Sequence, residues 1–346
     1  SRGVLEVAYD QLLAEGWLSA RTGAGTYVAT TAPHPARPPA RSSARCSVEA
    51  SPDRPPIRLD TGTPWIAHRH RASWARAWRD VADATPPTAY PQPCGLPELR
   101  TAIAGYAART RGITCTPGQV MITNGTTDGL RHLLGVLPPG IVAVEDPGYR
   151  AAAATVTASA HRRHDIPVDE HGADLTARPV PDDLRAVYVT PAHQHPTGAT
   201  MSAQRRVDLL AVCRSRGALV MEDDYDSHFR YDVAPLPAMA SLGGESVVHL
   251  GTASKVVMPG LRLGWVIAPE DLVAQVAARR AATHDLTSWP VQRAFLSMLR
   301  DGYVDRLVRS ARQVYAARGR QVAAGTPALR LGHEPRSRDV SHTRAA

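Results

Sequence analysis

The sequence predicts an α/β fold, a largely parallel sheet with helices on both faces, preceded by a separate helix and hairpin. Three observations carry this. First, short apolar runs recur along the chain: IVAVEDP (141–147), AVYVTP (186–191), ALVMEDDY (218–225), SVVHLGTASK (246–255) and LGWVIAP (263–269). Second, helical stretches lie between them; in 203–216, Val207, Leu210 and Ala211 share a face and Gly217 follows as a cap. Strands alternating with helices imply parallel pairing covered on both sides. Third, the first four runs end in polar residues: Glu145-Asp146, Thr190, Glu222-Asp223, and Thr252 with Ser254 and Lys255. Ligands of open α/β sheets sit beyond the carboxyl ends of the strands, so these groups converge on one rim.

In chain order, residues 1–16 read as a helix: Val4, Ala8 and Leu12 recur at four-residue spacing, Leu5 and Leu13 widen the stripe, and Gly16 stops it. Trp17-Leu18 and Thr26-Tyr27-Val28 flank Thr22-Gly23-Ala24-Gly25, a short hairpin. A helix followed at once by a small hairpin is the second half of a winged helix-turn-helix. Residues 31–56 are dense in Pro, Ala, Ser and Arg without an apolar period, a semi-extended linker. The α/β pattern spans 57–320, and 321–346 read as a disordered, Arg-rich tail.

Composition narrows the function. The 346 residues carry a formal charge of +8, but from Arg300 onward there are ten arginines against four acids. Most of the excess therefore sits near the end, and net charge alone is weak support for a nucleic-acid partner. An aromatic fraction of 5% argues against a stacking platform for single strands. Cys46, Cys94, Cys115 and Cys213 are too scattered for a zinc site or disulfide framework, and the fourteen histidines form no ligand pair at metal spacing. Neither a membrane-length apolar run nor a signal-peptide layout is visible, which predicts a cytosolic chain.

Thirty-nine of the forty basic residues are arginine, and the exception is Lys255. An arginine stays protonated, whereas a lysine can lose its proton and condense with a carbonyl. Around Lys255 the rim offers a carboxylate (Asp223), a phenol (Tyr225), hydroxyls (Thr252, Ser254) and, just downstream, Arg262. A second anion site lies in TNGTTDGL, where Gly125-Thr126-Thr127 lead into a helix whose N-terminal N–H groups suit a phosphate. An amine near a phosphate cradle, with a carboxylate and a phenol two residues apart, is what pyridoxal phosphate requires. Nucleotide alternatives fare worse, since a Walker loop is absent and no GxGxxG follows a strand.

Two resemblances add to this. SRGVLEVAYDQLLAEGWLSARTGAGTYV resembles the recognition helix and wing of GntR-family regulators, which would turn Ser1 and Arg2 to bases or phosphates and lay Arg21 along the DNA backbone. VYVTPAHQHPTG, EDDYDSHFRY and GTASKVVMPGLRLGW resemble the fold type I, aspartate aminotransferase-like domain of MocR-type regulators, a GntR subfamily. The second resemblance implies Lys255 as the aldimine-forming lysine, Asp223 as partner of the pyridine nitrogen, and Tyr225 as partner of the cofactor's phenolic oxygen. It also implies Tyr149 stacked on the ring, and Thr126, Thr252, Ser254 and Arg262 on the phosphate. Tyr90, in YPQPCG, resembles the tyrosine that reaches a neighbouring subunit's phosphate, which implies a homodimer. Taken singly, Asp223 also reads as a helix cap, Tyr225 as a core aromatic and Arg262 as a solvated arginine; for Tyr90 and Tyr149 core packing competes.

Departures matter too. His195 stands before PTG, where the enzymes of this fold usually place Asn and the regulators commonly an aromatic. That favours a sensing site over an efficient catalyst. The family also places two helices and a strand before the recognition helix and several further elements after residue 320, including the arginine that clamps a substrate α-carboxylate. The sequence is thus expected to be incomplete at both ends, through a fragment or misassigned start at the beginning and a frameshift or premature stop after residue 320. The function expected is a DNA-binding regulator that senses pyridoxal phosphate or an amino-compound effector through Lys255. The alternatives are a pyridoxal-phosphate-dependent aminotransferase acting on an amino acid and a non-functional fragment.

Overall fold

A computed structural model describes residues 2–14, 18–21, 23–28, 64–65, 71–230 and 237–325. The chain divides into two units, Ser1–Leu59 and Asp60–Ala346. Ser1, the 31–56 linker and residues 326–346 lie outside the described residues.

The first unit holds helix α1 (Arg2–Ala14) and strands β1 (Leu18–Arg21) and β2 (Gly25–Val28). The strands pair antiparallel with Arg21 opposite Gly25. Ala24 N–H donates to the Arg21 carbonyl at 3.0 Å, and Gly23 and Gly25 take positive φ of 81° and 101°, which a tight turn assigns to glycine. Helix and hairpin form where the sequence places them. The apolar stripe of α1 stands exposed, with Val4 68% and Leu5 64% accessible.

The second unit opens with α2 (Arg71–Ala82) and α3 (Pro97–Arg111). Pro97 starts α3 where no N–H is needed, and Gly112 ends it at φ 68°. Then come β3 (Val120–Thr123), α4 (Thr126–Leu134), β4 (Ile141–Asp146), α5 (Arg150–Thr157), β5 (Arg162–Asp169), β6 (Gly172–Ala173) and β7 (Leu184–Val189). The chain continues through α6 (Ala203–Arg216), β8 (Leu219–Asp223), α7 (Met239–Gly243), β9 (Val247–Thr252) and β10 (Gly264–Ile267). It closes with α8 (Glu270–Thr283), α9 (Trp289–Arg300) and α10 (Tyr303–Gly325).

Eight strands form one sheet in the order β3-β10-β9-β8-β7-β4-β5-β6. The run β9-β8-β7-β4-β5 is parallel throughout, whereas β10 lies antiparallel between β3 and β9. The five apolar runs are β4, β7, β8, β9 and β10. Alternation along these strands sends Val142, Val144, Ala186 and Met221 to one face, beneath Leu130 and Leu133 of α4, Val156 of α5 and Val276 of α8. Ala143, Val187, Val189 and Val220 point the other way, beneath Leu209, Leu210 and Cys213 of α6. A third apolar cluster joins Val120, Ile122, Trp265 and Ile267 to Leu99, Ile103, Phe295 and Leu296 of α3 and α9.

Four features depart from the sequence expectation. β3 (VMIT), four buried residues, and the two-residue β6 were not among the expected strands. β5 (RRHDIPVD) was not among the expected strands because it lies towards the edge of the sheet and buries only Ile166 fully, so its pattern is mostly polar. The LGWVIAP strand is antiparallel, so the sheet is mixed. Helix α10 runs on to Gly325, past the residue 320 at which the α/β pattern was expected to end.

Two arginines are fully buried rather than solvated. Arg206 donates to the carbonyls of Met201, Pro237 and Pro191 at 3.0, 2.8 and 2.8 Å. Arg280 donates to Pro93 and Ile122 carbonyls at 2.7 and 2.8 Å. Each buried guanidinium is thus matched by backbone carbonyls drawn from more than one segment. Among the described residues, Cys94, Cys115 and Cys213 are free thiols and no helix is long and apolar enough to cross a membrane.

Gly251 of β9 stands opposite Trp265 of β10, and a Cβ at that position would fall inside the indole's van der Waals envelope. Gly251→Ala is expected to cost about 1–3 kcal/mol through overpacking, read as a lowered midpoint in urea unfolding.

Candidate functional site

Beyond the carboxyl ends of the strands lies a cleft of about 200 Å³. Each element delivers its residues for a local reason. β8 ends at Asp223, 3% exposed, whose Oδ1 is buried without a hydrogen-bond partner. β9 ends at Thr252 and leads into Ser254 and Lys255, and the turn is held by Ser254 N–H donating to Thr252 Oγ1 at 3.0 Å. Ser254 Oγ is also buried and unpartnered. β3 leads into Gly125, whose φ of 106° caps α4 and sets Thr126 and Thr127 in its first turn. Helical geometry leaves first-turn N–H groups without internal acceptors. Arg262, at φ 46°, bonds the Asn124 carbonyl at 3.0 Å and lies against Gly125.

The opposite wall is aromatic. Tyr149 is the N-cap immediately before α5, with its ring edge-on to His195 at 5.9 Å. His195 is edge-on to Tyr225 at 6.2 Å, and the Tyr225 ring stacks on His193. His193 Nδ1 lies 2.5 Å from Asp226 and 3.4 Å from the Tyr225 hydroxyl.

The cleft therefore gathers Gly125, Thr126, Thr127, Tyr149, His195, Asp223, Tyr225, Thr252, Ser254, Lys255 and Arg262, with Thr190 and Pro259 completing its lining. Tyr90 is not part of it; its side chain is 77% exposed and meets His284 edge-on at 5.1 Å. Arg21 is exposed at the end of β1, Arg2 begins α1, and Ser1 lies outside the described residues.

Electrostatics follow from burial. Burial pulls Lys255 below the ordinary lysine value, while the charges of Asp226 and Asp223 pull it back up. Asp223 is pushed up to about 7 by burial, against hydrogen bonding from Tyr188 and Thr126. Burial lowers His195, and the Lys255 charge lowers it further. Tyr225 is raised by burial and by Asp226.

Sequence reasoning missed a supporting layer. Glu145 is buried at the end of β4 and accepts from Thr190 N–H at 3.0 Å, Thr190 Oγ1 at 2.5 Å and Gln194 Nε2 at 3.1 Å. Gln194 Nε2 also donates to the Pro147 carbonyl at 2.8 Å, so one carboxylate ties the loop bearing Tyr149 to the loop bearing His195. Burial pushes Glu145 up to about 7. Glu145 and Thr190 stand out in sequence as strand-end polar residues, but nothing in the sequence pairs them.

Away from the cleft, His132 groups with Asp128 and Asp285, their ligand-capable atoms within 4.8 Å. That histidine–carboxylate grouping escaped the sequence reading. Arg131 already spans the two carboxylates at 2.6 and 2.5 Å, so the cluster is an ion-pair network.

Residues 55–334 match the family described as aminotransferase class I and II. The chain is 36% identical over 319 residues to the HTH-type pyridoxine biosynthesis transcriptional regulator PdxR of Corynebacterium glutamicum, covering 92% of this chain and 69% of that protein. It is 33% identical to the probable rhizopine catabolism regulatory protein MocR of Rhizobium meliloti, covering 92% and 68% respectively. Among solved structures, an aromatic aminotransferase from Pyrococcus horikoshii superposes with a TM-score of 0.69 at 25% identity, over 77% of this chain and 74% of that one.

The cofactor this fold implies is pyridoxal phosphate. The donor set fits it: hydroxyls, a guanidinium and helix N–H groups at the anion end, with no carboxylate among them, and two orphaned buried oxygens, Ser254 Oγ and Asp223 Oδ1. The chain belongs to the aminotransferase class I and II family and, within it, to the MocR-type branch of the GntR regulators.

Proposed function

We propose that this protein is a transcriptional regulator whose aminotransferase-like domain binds pyridoxal phosphate and senses it, or an amino compound, through Lys255. The observation that carries the reading is the position of the chain's one lysine, in the cleft between a buried aspartate and an anion-binding end. When bound, the cofactor supplies an aldehyde that takes up primary amines covalently. Lys255 is the resident amine, and its partial burial holds more of it in the neutral, nucleophilic form than an exposed lysine would have.

The remaining groups have separable tasks. Gly125, Thr126, Thr127, Thr252, Ser254 and Arg262 hold the phosphate, Asp223 pairs with the ring nitrogen and Tyr225 with the phenolic oxygen. Tyr149 stacks on the ring, and His195 offers a hydrogen bond from the aromatic wall. Tyr90 reaches a second subunit's phosphate in a homodimer, which its exposure permits. The helix–wing unit, with Ser1, Arg2 and Arg21, contacts operator DNA. Such a protein works in the cytoplasm, where the DNA and free cofactor are. The second reading, an aminotransferase acting on an amino acid, is supported by the same cleft and by the likeness to the Pyrococcus enzyme. Conversion of bound cofactor to its amine form by an amino acid, with release of the keto acid, would decide for it.

Mixing the protein with pyridoxal phosphate is expected to produce a visible absorption band that Lys255→Ala abolishes. Arg262→Ala, which removes a charge-assisted phosphate contact, should weaken uptake about tenfold or more.

The rate of uptake should rise with pH as Lys255 loses its proton, with an inflection below the roughly 10.4 of an ordinary lysine. Asp226 favours the ammonium form, so Asp226→Asn should move that inflection to lower pH; stopped-flow absorbance across pH reads both.

For DNA, Arg21→Ala should weaken binding similarly across sequences and reduce the log–log salt slope by about one, measured by fluorescence anisotropy at several salt concentrations.

A further inference from the structure

Beneath the cleft, out of its lining, Tyr188 lies in β7 with 2% of its surface exposed. β7 and β8 are parallel, with Tyr188 opposite Met221 and Val189 opposite Glu222. Side chains two residues apart share a face, so Tyr188 and Asp223 point to the same side of the sheet, Asp223 two positions further along its strand. The phenol ring spans that offset, and its hydroxyl donates to Asp223 Oδ2. A serine or threonine at 188 would be too short. Asp223 Oδ1 makes no hydrogen bond, and Asp223 lines the cleft.

We propose that Tyr188 is a positioning residue: its hydroxyl fixes one oxygen of Asp223, Oδ2, and thereby assigns the other, Oδ1, to the cofactor's ring nitrogen. The proposal rests on the pyridoxal phosphate reading above. Without the hydroxyl, Oδ2 loses the partner in β7 that holds it, and the carboxyl group can turn about its terminal bond and present either oxygen at a less favourable angle. Electrostatics act in the same direction. Burial pushes Asp223 up to about 7, and the hydroxyls of Tyr188 and Thr126 pull it back. Removing the Tyr188 hydroxyl makes the carboxylate more basic, so a proton shared with the ring nitrogen moves towards the aspartate. The alternative is that Tyr188 is a core aromatic whose hydroxyl merely needs an acceptor, and the two differ in one measurable respect.

The test compares equilibrium binding of pyridoxal phosphate with that of its 1-deaza analogue, in which carbon replaces the ring nitrogen, to wild type, Tyr188→Phe and Asp223→Asn. Wild type should prefer the natural cofactor. Tyr188→Phe should lose about tenfold in affinity for it, the scale of a hydrogen bond to a charged group, with affinity for the analogue unchanged. Asp223→Asn should lose the preference as well. With 15N-labelled cofactor, the ring-nitrogen shift in Tyr188→Phe should move towards the unprotonated position. If Tyr188→Phe does not fold, Tyr188→Met fills the space with a flexible apolar chain and carries the same expectation. A purely packing role would weaken both ligands equally and leave their ratio at the wild-type value, which overturns the proposal. So does a wild type that binds both equally tightly. A wild type that takes up neither overturns the cofactor reading itself, and this proposal with it.

Discussion

Parallel strands end on the same edge, and everything else in the second unit depends on that constraint. In an antiparallel sheet, neighbouring strand ends alternate between edges and a ligand meets turns. Here β4, β7, β8 and β9 run together and finish side by side, which brings Glu145, Thr190, Asp223 and Thr252 to one rim. The antiparallel β10 adds to the arrangement instead of breaking it. It enters from the rim, so Arg262 just before it and Gly125 just after β3 meet at the same end.

A rim of polar strand ends is costly unless the groups satisfy one another, and the structure meets that cost in two layers. Below, Glu145 is saturated by Thr190 and Gln194, and Arg206 holds the Pro191 and Met201 carbonyls from the other side. Above, Asp223 Oδ1 and Ser254 Oγ are left without partners. Buried polar atoms are rarely orphaned in a folded protein; these two line the same cleft as Lys255 and Arg262, where a bound ligand would supply their partners. Those two atoms support the placement that the position of Lys255 carries.

Much of this was legible in the residues. The apolar runs located β4, β7, β8, β9 and β10, though not β3, and polar residues at the ends of the first four located the cleft. A lone lysine among forty basic residues singled out Lys255 before any geometry was known. What stayed hidden depends on pairing between distant segments. Tyr188 in AVYVTP reads as one more apolar strand residue, and only the register with β8 puts its hydroxyl on Asp223. Arg206 and Arg280 look like any other arginine of a helix, because most of the carbonyls they bond come from distant segments of the chain. Strand β5 escaped because only the two-residue β6 lies outside it and most of its side chains are left part-exposed, so its sequence is largely polar. The net charge pointed to a partner only loosely, since charge counts do not say which face carries them.

The central claim is that Lys255 is the amine that meets the cofactor's aldehyde. Because the chain holds no other lysine, borohydride reduction in the presence of pyridoxal phosphate followed by peptide mass spectrometry tests it directly. The account predicts stoichiometric, irreversible attachment of the cofactor on the peptide containing Lys255. Absence of that label, or label confined to the terminal amine with Lys255 unmodified, would contradict it.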